Sequence, residues 1–243
     1  MEHFTEVKIF KNSKKTYNAI AKRIIKLTQE SKQEVFDIAL SGGNSPKGLF
    51  KRLSKKYRDE IPWERIHFWW GDERCVPPDH EQSNYKMTVD YLFSNVDIPE
   101  KNIHRIRGEA NPEAEAKRYS KELETTLNSR GKDPVFDVIL LGLGEDGHTA
   151  SIFPDQLELF EHPENCAVTE HPLTGQKRIT FTGNVLNNAN QVFFLVTGEK
   201  KALRVSEIMN DSEAAKLLPA YYISPTNGDL IWFLDEEAAS LIS

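Results

Sequence analysis

The densest chemistry in this sequence lies in Gly142-Leu143-Gly144-Glu145-Asp146-Gly147-His148, where an acid stands two residues before an imidazole in a glycine loop. An unperturbed imidazole titrates at about 6.5, so His148 can take a proton from water at neutral pH. Asp146 is spaced to orient the ring or hold its proton. The chain has seven histidines, and a histidine taken at random is more often a surface or core residue than a base. His3, His80, His104, His162 and His171 fall in loops or near ends, and His67, just before Phe68-Trp69-Trp70, reads as structural. His148 differs in lying in a glycine loop after an apolar run. A second reactive segment, Asp72-Glu73-Arg74, follows Trp69-Trp70-Gly71. An acid beside a guanidinium can bind hydroxyl groups and steady a developing oxyanion, or it can be a local ion pair of the common surface kind. Cys75 next to it is a weaker candidate, a nucleophile paired with His148, because nothing local points to a lowered thiol pKa.

Other residues have the chemistry to hold an anion. Ser41-Gly42-Gly43-Asn44-Ser45-Pro46 follows an apolar run and opens a helical pattern. Free N–H groups and the partial positive charge of a helix N-terminus suit a phosphate, and Asn44 or Ser45 can cap the helix. The plainer reading is an ordinary strand-to-helix turn. It is not a Walker motif, since the glycine spacing differs and no Lys-Ser/Thr pair closes it. Lys47 lies just beyond. Arg178 opens a strand after Gly175-Gln176-Lys177, and Lys201 opens a helix after Gly198. Each can be a solvated surface base, but in an acidic chain bases at a strand edge also fit a phosphate clamp. The stretch Gly142–Gly147 formally matches G-x-G-x-x-G. The dinucleotide fingerprint, however, needs a helix opening in the loop and an acid on the next strand roughly 20 residues on. Here Pro154 and Pro163 interrupt, so the match is read as a decoy. No His/Cys/Asp cluster has metal-ligand spacing, and neither a metal nor a cofactor is expected.

These residues must be positioned by the elements around them. Val35–Leu40, Ile66–Trp70, Val135–Leu141, Val192–Val196 and Leu230–Leu234 are short, nearly continuous apolar runs, as expected of strands buried on both faces of a parallel sheet. Glu6–Phe10, Cys166–Thr169 and Arg178–Phe181 are weaker strand candidates. Helical patterns run over Lys14–Glu30, Pro46–Tyr57 with proline at the first position, Pro112–Ser129 with Gly131 beyond its end, and Lys200–Asn210. The alternation predicts an α/β fold with a doubly wound, mostly parallel sheet flanked by helices on both faces. The runs end in Ser41–Pro46, Gly71–Arg74, Gly142–His148 and Thr197–Lys201. In an open parallel sheet such carboxyl ends share one edge, where ligands bind.

Composition bounds the rest. With 243 residues, no internal repeat and no Pro/Gly/Ser-rich linker, the expectation is a single domain over 1–243. Net charge is −6, which disfavours non-specific binding to nucleic acid or anionic membranes. Met1-Glu2-His3-Phe4-Thr5-Glu6 lacks the basic and apolar regions of a signal peptide, and no apolar run approaches the roughly 20 residues of a membrane span. Two cysteines, Cys75 and Cys166, make no disulfide framework, so a cytoplasmic setting is expected.

Together these segments resemble the 6-phosphogluconolactonase family. The matching stretches are Leu40–Phe50, Trp70–Tyr85, Phe136–Pro154, Arg178–Thr182 and Leu195–Leu203, with Leu218–Ala220 and Trp232–Asp235 near the end. The most specific is GEDGHTASIFP, supported by GDER followed by SNY. The resemblance implies a modified Rossmann-like fold shared with glucosamine-6-phosphate deaminases. It implies hydrolysis of 6-phospho-D-glucono-1,5-lactone to 6-phospho-D-gluconate in the oxidative pentose phosphate pathway. The expected partner is the small-molecule substrate, and a monomer or a homodimer are both open. It places Gly42, Gly43, Asn44 and Ser45, with Lys47 less firmly, on the phosphate-proximal loop, and Arg178 and Lys201 on basic positions facing the phosphate. His148 falls on the general base, Asp146 and Gly144 on its loop, and Asp72 and Arg74 on the acid–arginine segment. One departure is visible: Gly-Gly-Asn-Ser-Pro stands where Gly-Gly-Ser-Thr-Pro is commoner. The rivals are a glucosamine-6-phosphate deaminase or isomerase, a non-catalytic sugar-phosphate sensor and an NAD-dependent oxidoreductase. The deaminases usually carry Asn-Glu-Pro where this chain has Ile152-Phe153-Pro154, and a sensor would need no Asp146–His148 pair.

Overall fold

A computed structural model describes residues 5–127, 129–130 and 133–242. In chain order the elements are β1 (Thr5–Phe10), α1 (Ser13–Glu30), β2 (Phe36–Leu40), α2 (Asn44–Lys55), β3 (Ile66–Trp70), β4 (Asp72–Arg74), α3 (Asn84–Tyr91), β5 (Ile103–His104) and α4 (Pro112–Thr126). They continue with β6 (Ser129–Arg130), β7 (Asp133–Pro134), β8 (Val138–Leu141), β9 (Cys166–Glu170), β10 (Lys177–Phe181), α5 (Gly183–Leu186), β11 (Gln191–Val196), α6 (Ala202–Met209) and β12 (Asp229–Asp235). Seven strands form one sheet in the order β1-β12-β11-β8-β2-β3-β5, and every neighbouring pair in it is parallel. From β2 the chain winds outward through β3 and β5. From β8 it winds the other way, through β11 and β12. The winding therefore reverses between β2 and β8, and that is where a parallel sheet opens a crevice at its carboxyl edge.

The apolar runs read as doubly buried strands because helices cover both faces. On one face Phe68 and Trp70 pack against Phe93, and Trp70 also meets Tyr85 of α3. On the other, Trp69 meets Tyr119 of α4 and Phe136. The Tyr119 hydroxyl accepts from the Trp70 N–H at 3.0 Å and donates to the His104 carbonyl at 3.0 Å, so α4 is bonded to the sheet as well as packed on it. His67, read as structural, has its Nδ1 3.0 Å from Nε2 of His104, whose own Nδ1 meets Glu122 at 2.8 Å.

A second, antiparallel sheet of order β4-β10-β9 departs from the expected layout. Residues 72–74 read as a polar loop, but they are a strand. At Gly71 the chain leaves the main sheet: its N–H donates to the Leu40 carbonyl at 2.9 Å, while its carbonyl accepts from Phe181 N–H at 2.8 Å. The next three residues then pair with β10, setting Asp72 opposite Thr180 and Arg74 opposite Arg178. Two helix starts also differ. Helix α2 begins at Asn44, with Gly43 as its cap and no capping side chain. Pro46 is thus the third residue rather than the first, and neither Asn44 nor Ser45 caps. Helix α6 begins at Ala202, and Lys201 sits in the 3-10 turn before it. Helix α4 starts at Pro112 under an Asn111 cap and stops at Thr126; the expected Gly131 terminus lies outside the described residues.

Asp37 of β2 is buried inside this framework. Its Oδ1 accepts from Trp69 Nε1 at 2.9 Å. Burial pushes the carboxyl up to about 6 against the pull of that hydrogen bond, and the charge of Asp137 adds to the rise. A carboxyl raised on folding favours the protonated form. Its contribution to stability is therefore complete below its ordinary value of 3.8 and is lost as pH rises through about 6. Asp37→Asn keeps an acceptor for Trp69 without the charge. Urea denaturation should find this variant more stable than the parent at pH 8, by roughly 1–3 kcal/mol, with the difference gone near pH 4.

Candidate active site

The crevice between β2 and β8 opens into a cavity of about 720 Å³. Gly42, Gly43, Asn44, Ser45, Asp72, Arg74, Gly144, His148, Arg178 and Lys201 all line it. The ends of β2, β8 and β11, together with strands β4 and β10, thus deliver polar residues to one space. Two of the expected positions do not line it. Asp146 stands behind His148, and the Lys47 ammonium lies 5.1 Å from the centre of the Tyr91 ring, on the side of α2 turned toward α3.

His148 and Asp146 form a pair, with Nδ1 2.6 Å from Oδ1. The same oxygen accepts the His148 backbone N–H at 3.1 Å. Burial works to raise the Asp146 carboxyl, but the hydrogen bond and charge of His148 outweigh it and hold the acid at about 2. An ionised carboxylate can only accept, so Nδ1 carries a ring proton, and whenever the ring is neutral Nε2 keeps its lone pair. The imidazole also packs against Phe153, with ring centres 4.9 Å apart. A Cβ on Gly144 would fall on the imidazole and on the Asp146 carboxylate. This glycine therefore makes room for the pair as well as forming cavity wall. The Gly144 N–H donates to the His148 carbonyl and the Gly147 N–H to the Gly144 carbonyl, so neither is free to meet a ligand. The G-x-G-x-x-G pattern opens no helix. After it come an isolated Thr149–Ile152 bridge and a 3-10 turn at Leu157–Phe160, and the next strand, β9, belongs to the antiparallel sheet.

Strand alternation explains the Asp72-Glu73-Arg74 segment, since Asp72 and Arg74 share one face and Glu73 takes the other. No ion pair joins Asp72 to Arg74 among the described residues. Glu73 is buried beneath them, accepting from the backbone N–H groups of Arg74, Asn84 and Tyr85, each at 2.8 Å, and from the Ser83 hydroxyl at 3.0 Å. It ties β4 to the start of α3. Burial raises its carboxyl, and the hydrogen bonds from Asn84, Tyr85 and Arg74 oppose the rise. Burial also pushes the Cys75 thiol up to about 11, and Glu73 adds to that. A thiol so raised is poorly suited to be a nucleophile at neutral pH.

The cationic part of the wall consists of Arg178, Arg74, Lys201 and Lys200. Burial lowers the Arg178 pKa, and the neighbouring Arg74 lowers it further. The Nε atoms of both arginines are buried without a partner, so each guanidinium keeps one donor that the protein leaves unmatched. Lys201 is lowered by burial, while Glu145 and Asp146 favour its charge. Gly43 has φ 102°, a left-handed conformation that glycine tolerates without strain, and open space lies where its side chain would be. The first turn of α2 thereby faces the cavity. Ser45 Oγ and Thr197 Oγ1, 2.7 Å apart, tie that turn to the end of β11.

Several residues that build the site were not singled out from the sequence. Tyr17 of α1 lines the cavity, its ring filling the space that a Cβ on Gly48 would need. Asn84 donates to the Asp72 carbonyl at 2.9 Å and to its Oδ1 at 3.3 Å. Its amide also occupies the space beside Gly42. Ser151 donates to Asp72 Oδ2 at 2.6 Å. Asn84 and Ser151 lie within stretches that carry the family resemblance, which was the available signal.

The model of the glucosamine-6-phosphate isomerase/6-phosphogluconolactonase family matches residues 11–232. A 6-phosphogluconolactonase of Treponema pallidum is 42% identical over 196 residues, covering 81% of each chain. One of Haemophilus influenzae is 44% identical over 206 residues, or 84% of this chain and 87% of its own. The crystal structure of a devB protein superposes with a TM-score of 0.93 at 40% identity, covering 99% of this chain and 100% of its own.

The pair of His148 and Asp146 depends on the absence of a side chain at residue 144. Gly144→Ala should therefore displace the ring and cost about 1–3 kcal/mol of stability by overpacking. Urea denaturation reads the stability, and the imidazole NMR signals read the lost Nδ1 hydrogen bond.

Proposed function

The chain belongs to the glucosamine-6-phosphate isomerase/6-phosphogluconolactonase family, and from that premise we infer that it hydrolyses 6-phospho-D-glucono-1,5-lactone to 6-phospho-D-gluconate, a step of the oxidative pentose phosphate pathway. The observation that carries the mechanism is the His148–Asp146 pair in a cavity whose wall also offers unpartnered guanidinium donors and a helix N-terminus. Asp146 holds the Nδ1 proton, and Nε2 of His148 takes a proton from water as that water attacks the lactone carbonyl. Charge builds on the carbonyl oxygen, and Arg74 with backbone N–H groups of the Gly142–Gly147 loop other than those of Gly144 and Gly147 stabilises it. The intermediate then collapses. The bond from the former carbonyl carbon to the ring oxygen breaks, and that oxygen takes the proton from the His148 imidazolium. The lactone is already a reactive ester, so a water nucleophile suffices.

The phosphate supplies orientation from a distance. In this reading the first turn of α2, at Gly42, Gly43, Asn44 and Ser45, holds it together with Arg178 and Lys201, and Asp72 binds sugar hydroxyls. Lys47, engaged with Tyr91, contributes only charge near the helix. We place the activity in the cytoplasm, in a single-domain chain acting as a monomer or homodimer without cofactor or metal. Among the described residues no helix is long and apolar enough to cross a membrane.

An assay on freshly made lactone, corrected for spontaneous hydrolysis, tests the activity. Release of ammonia from glucosamine 6-phosphate in place of lactone hydrolysis would transfer the chain to the deaminase branch. His148→Ala should lower kcat by about 10²–10⁴-fold, and a variant with near-normal turnover would remove His148 as the base. Arg178→Ala and Lys201→Ala should act differently, raising KM more than they lower kcat. An unchanged KM in both would refute the clamp.

A further inference from the structure

Asp72 and Arg178 occupy facing strands of the small sheet, both buried, yet no direct ion pair joins them among the described residues. A buried carboxylate and guanidinium this close would ordinarily close into a charge-assisted, often bidentate pair. Ser151 stands between them. Its side chain is 0% exposed. Its hydroxyl donates to Asp72 Oδ2 at 2.6 Å and accepts from Arg178 Nη1 at 3.3 Å. A hydroxyl has one proton, and giving it to the carboxylate leaves only lone pairs for the guanidinium. The serine is fixed in place because its backbone N–H donates to Thr180 Oγ1 at 3.1 Å, and Thr180 is the residue directly opposite Asp72. The other carboxylate oxygen of Asp72 is engaged by Asn84 Nδ2 at 3.3 Å. Both oxygens of Asp72 therefore meet neutral donors, while Arg178 Nε stays buried and unpartnered.

We propose that Ser151 is a positioning residue, a neutral spacer that keeps the Arg178 guanidinium from pairing with Asp72 and so leaves its charge available to the substrate phosphate. The proposal rests on the reading of Arg178 as part of the phosphate clamp. Removing the hydroxyl opens the gap between the two charges. Arg178 then turns onto Asp72, and the phosphate loses a charged partner.

Ser151→Ala tests this through three readouts. Its crystal structure should show an Arg178 nitrogen about 3 Å from an Asp72 oxygen; an Arg178 that stays in place overturns the spacer. Binding of 6-phosphogluconate, measured by calorimetry, should weaken about tenfold, the effect of one lost charge-assisted hydrogen bond, with KM rising and kcat little changed. An affinity within twofold of the parent also overturns it. Comparing Asp72→Asn with Asp72→Asn/Ser151→Ala separates spacing from general loss of packing. Without the charge at residue 72, losing the serine should have no further effect on binding, whereas a purely structural role gives the same loss in both backgrounds. A parent protein that fails to hydrolyse the lactone would sink the functional reading, and the crystallographic readout would still decide the spacer independently.

Discussion

A parallel sheet whose winding reverses must leave a crevice at the reversal, and the rest of this molecule depends on that constraint. The chain leaves β2 in one direction and β8 in the other, so the segments that follow diverge and leave the carboxyl ends of those two strands uncovered. The backbone there can project glycine loops into open space without disturbing the packed layers. One loop begins α2 and presents helix N–H groups. The other makes no helix and carries the imidazole and its acid. Two kinds of chemistry, anion binding and proton transfer, thus occupy the two sides of one gap.

The small antiparallel sheet supplies a third wall by diverting the chain out of the main sheet at Gly71. Its two buried acids are each matched. Glu73 accepts three backbone N–H groups and a hydroxyl, Asp72 meets Asn84 and Ser151, and the strand pairing fixes Arg74 across from Arg178. Burying charge costs stability unless it is hydrogen-bonded. The atoms left unmatched are therefore informative, and two of the four such atoms among the described residues are the Nε atoms of Arg74 and Arg178. A strand pair whose two acids are satisfied and whose two arginines each keep an unmatched donor is disposed toward an anionic ligand, even in a chain of net charge −6.

Glycine serves three purposes here that look alike in sequence. Gly43 provides a positive φ at the helix cap. Gly144 leaves room for the Asp146–His148 pair, and Gly42 leaves room for the Asn84 amide. Only the first leaves open space beside a ligand. In the apparent dinucleotide fingerprint at Gly142–Gly147 only Gly144 is of the second kind, and two of the loop's N–H groups are bonded within it.

The sequence by itself determined the strands whose apolar runs are continuous, because burial on both faces leaves a mark on every residue. It determined that their ends carry polar loops, and it placed His148 and Asp146 together, since a pair two residues apart needs no long-range information. It left β4 hidden, because three polar residues carry no periodicity and become a strand only when β10 is beside them. Tertiary structure alone decided that Lys47 turns to Tyr91, that Tyr17 walls the cavity, and that Ser151 reaches Asp72 across 79 positions of chain. Such contacts depend on where distant segments are brought by the sheet order. Residue types limit what chemistry each side chain can do, and the fold selects which partner it meets.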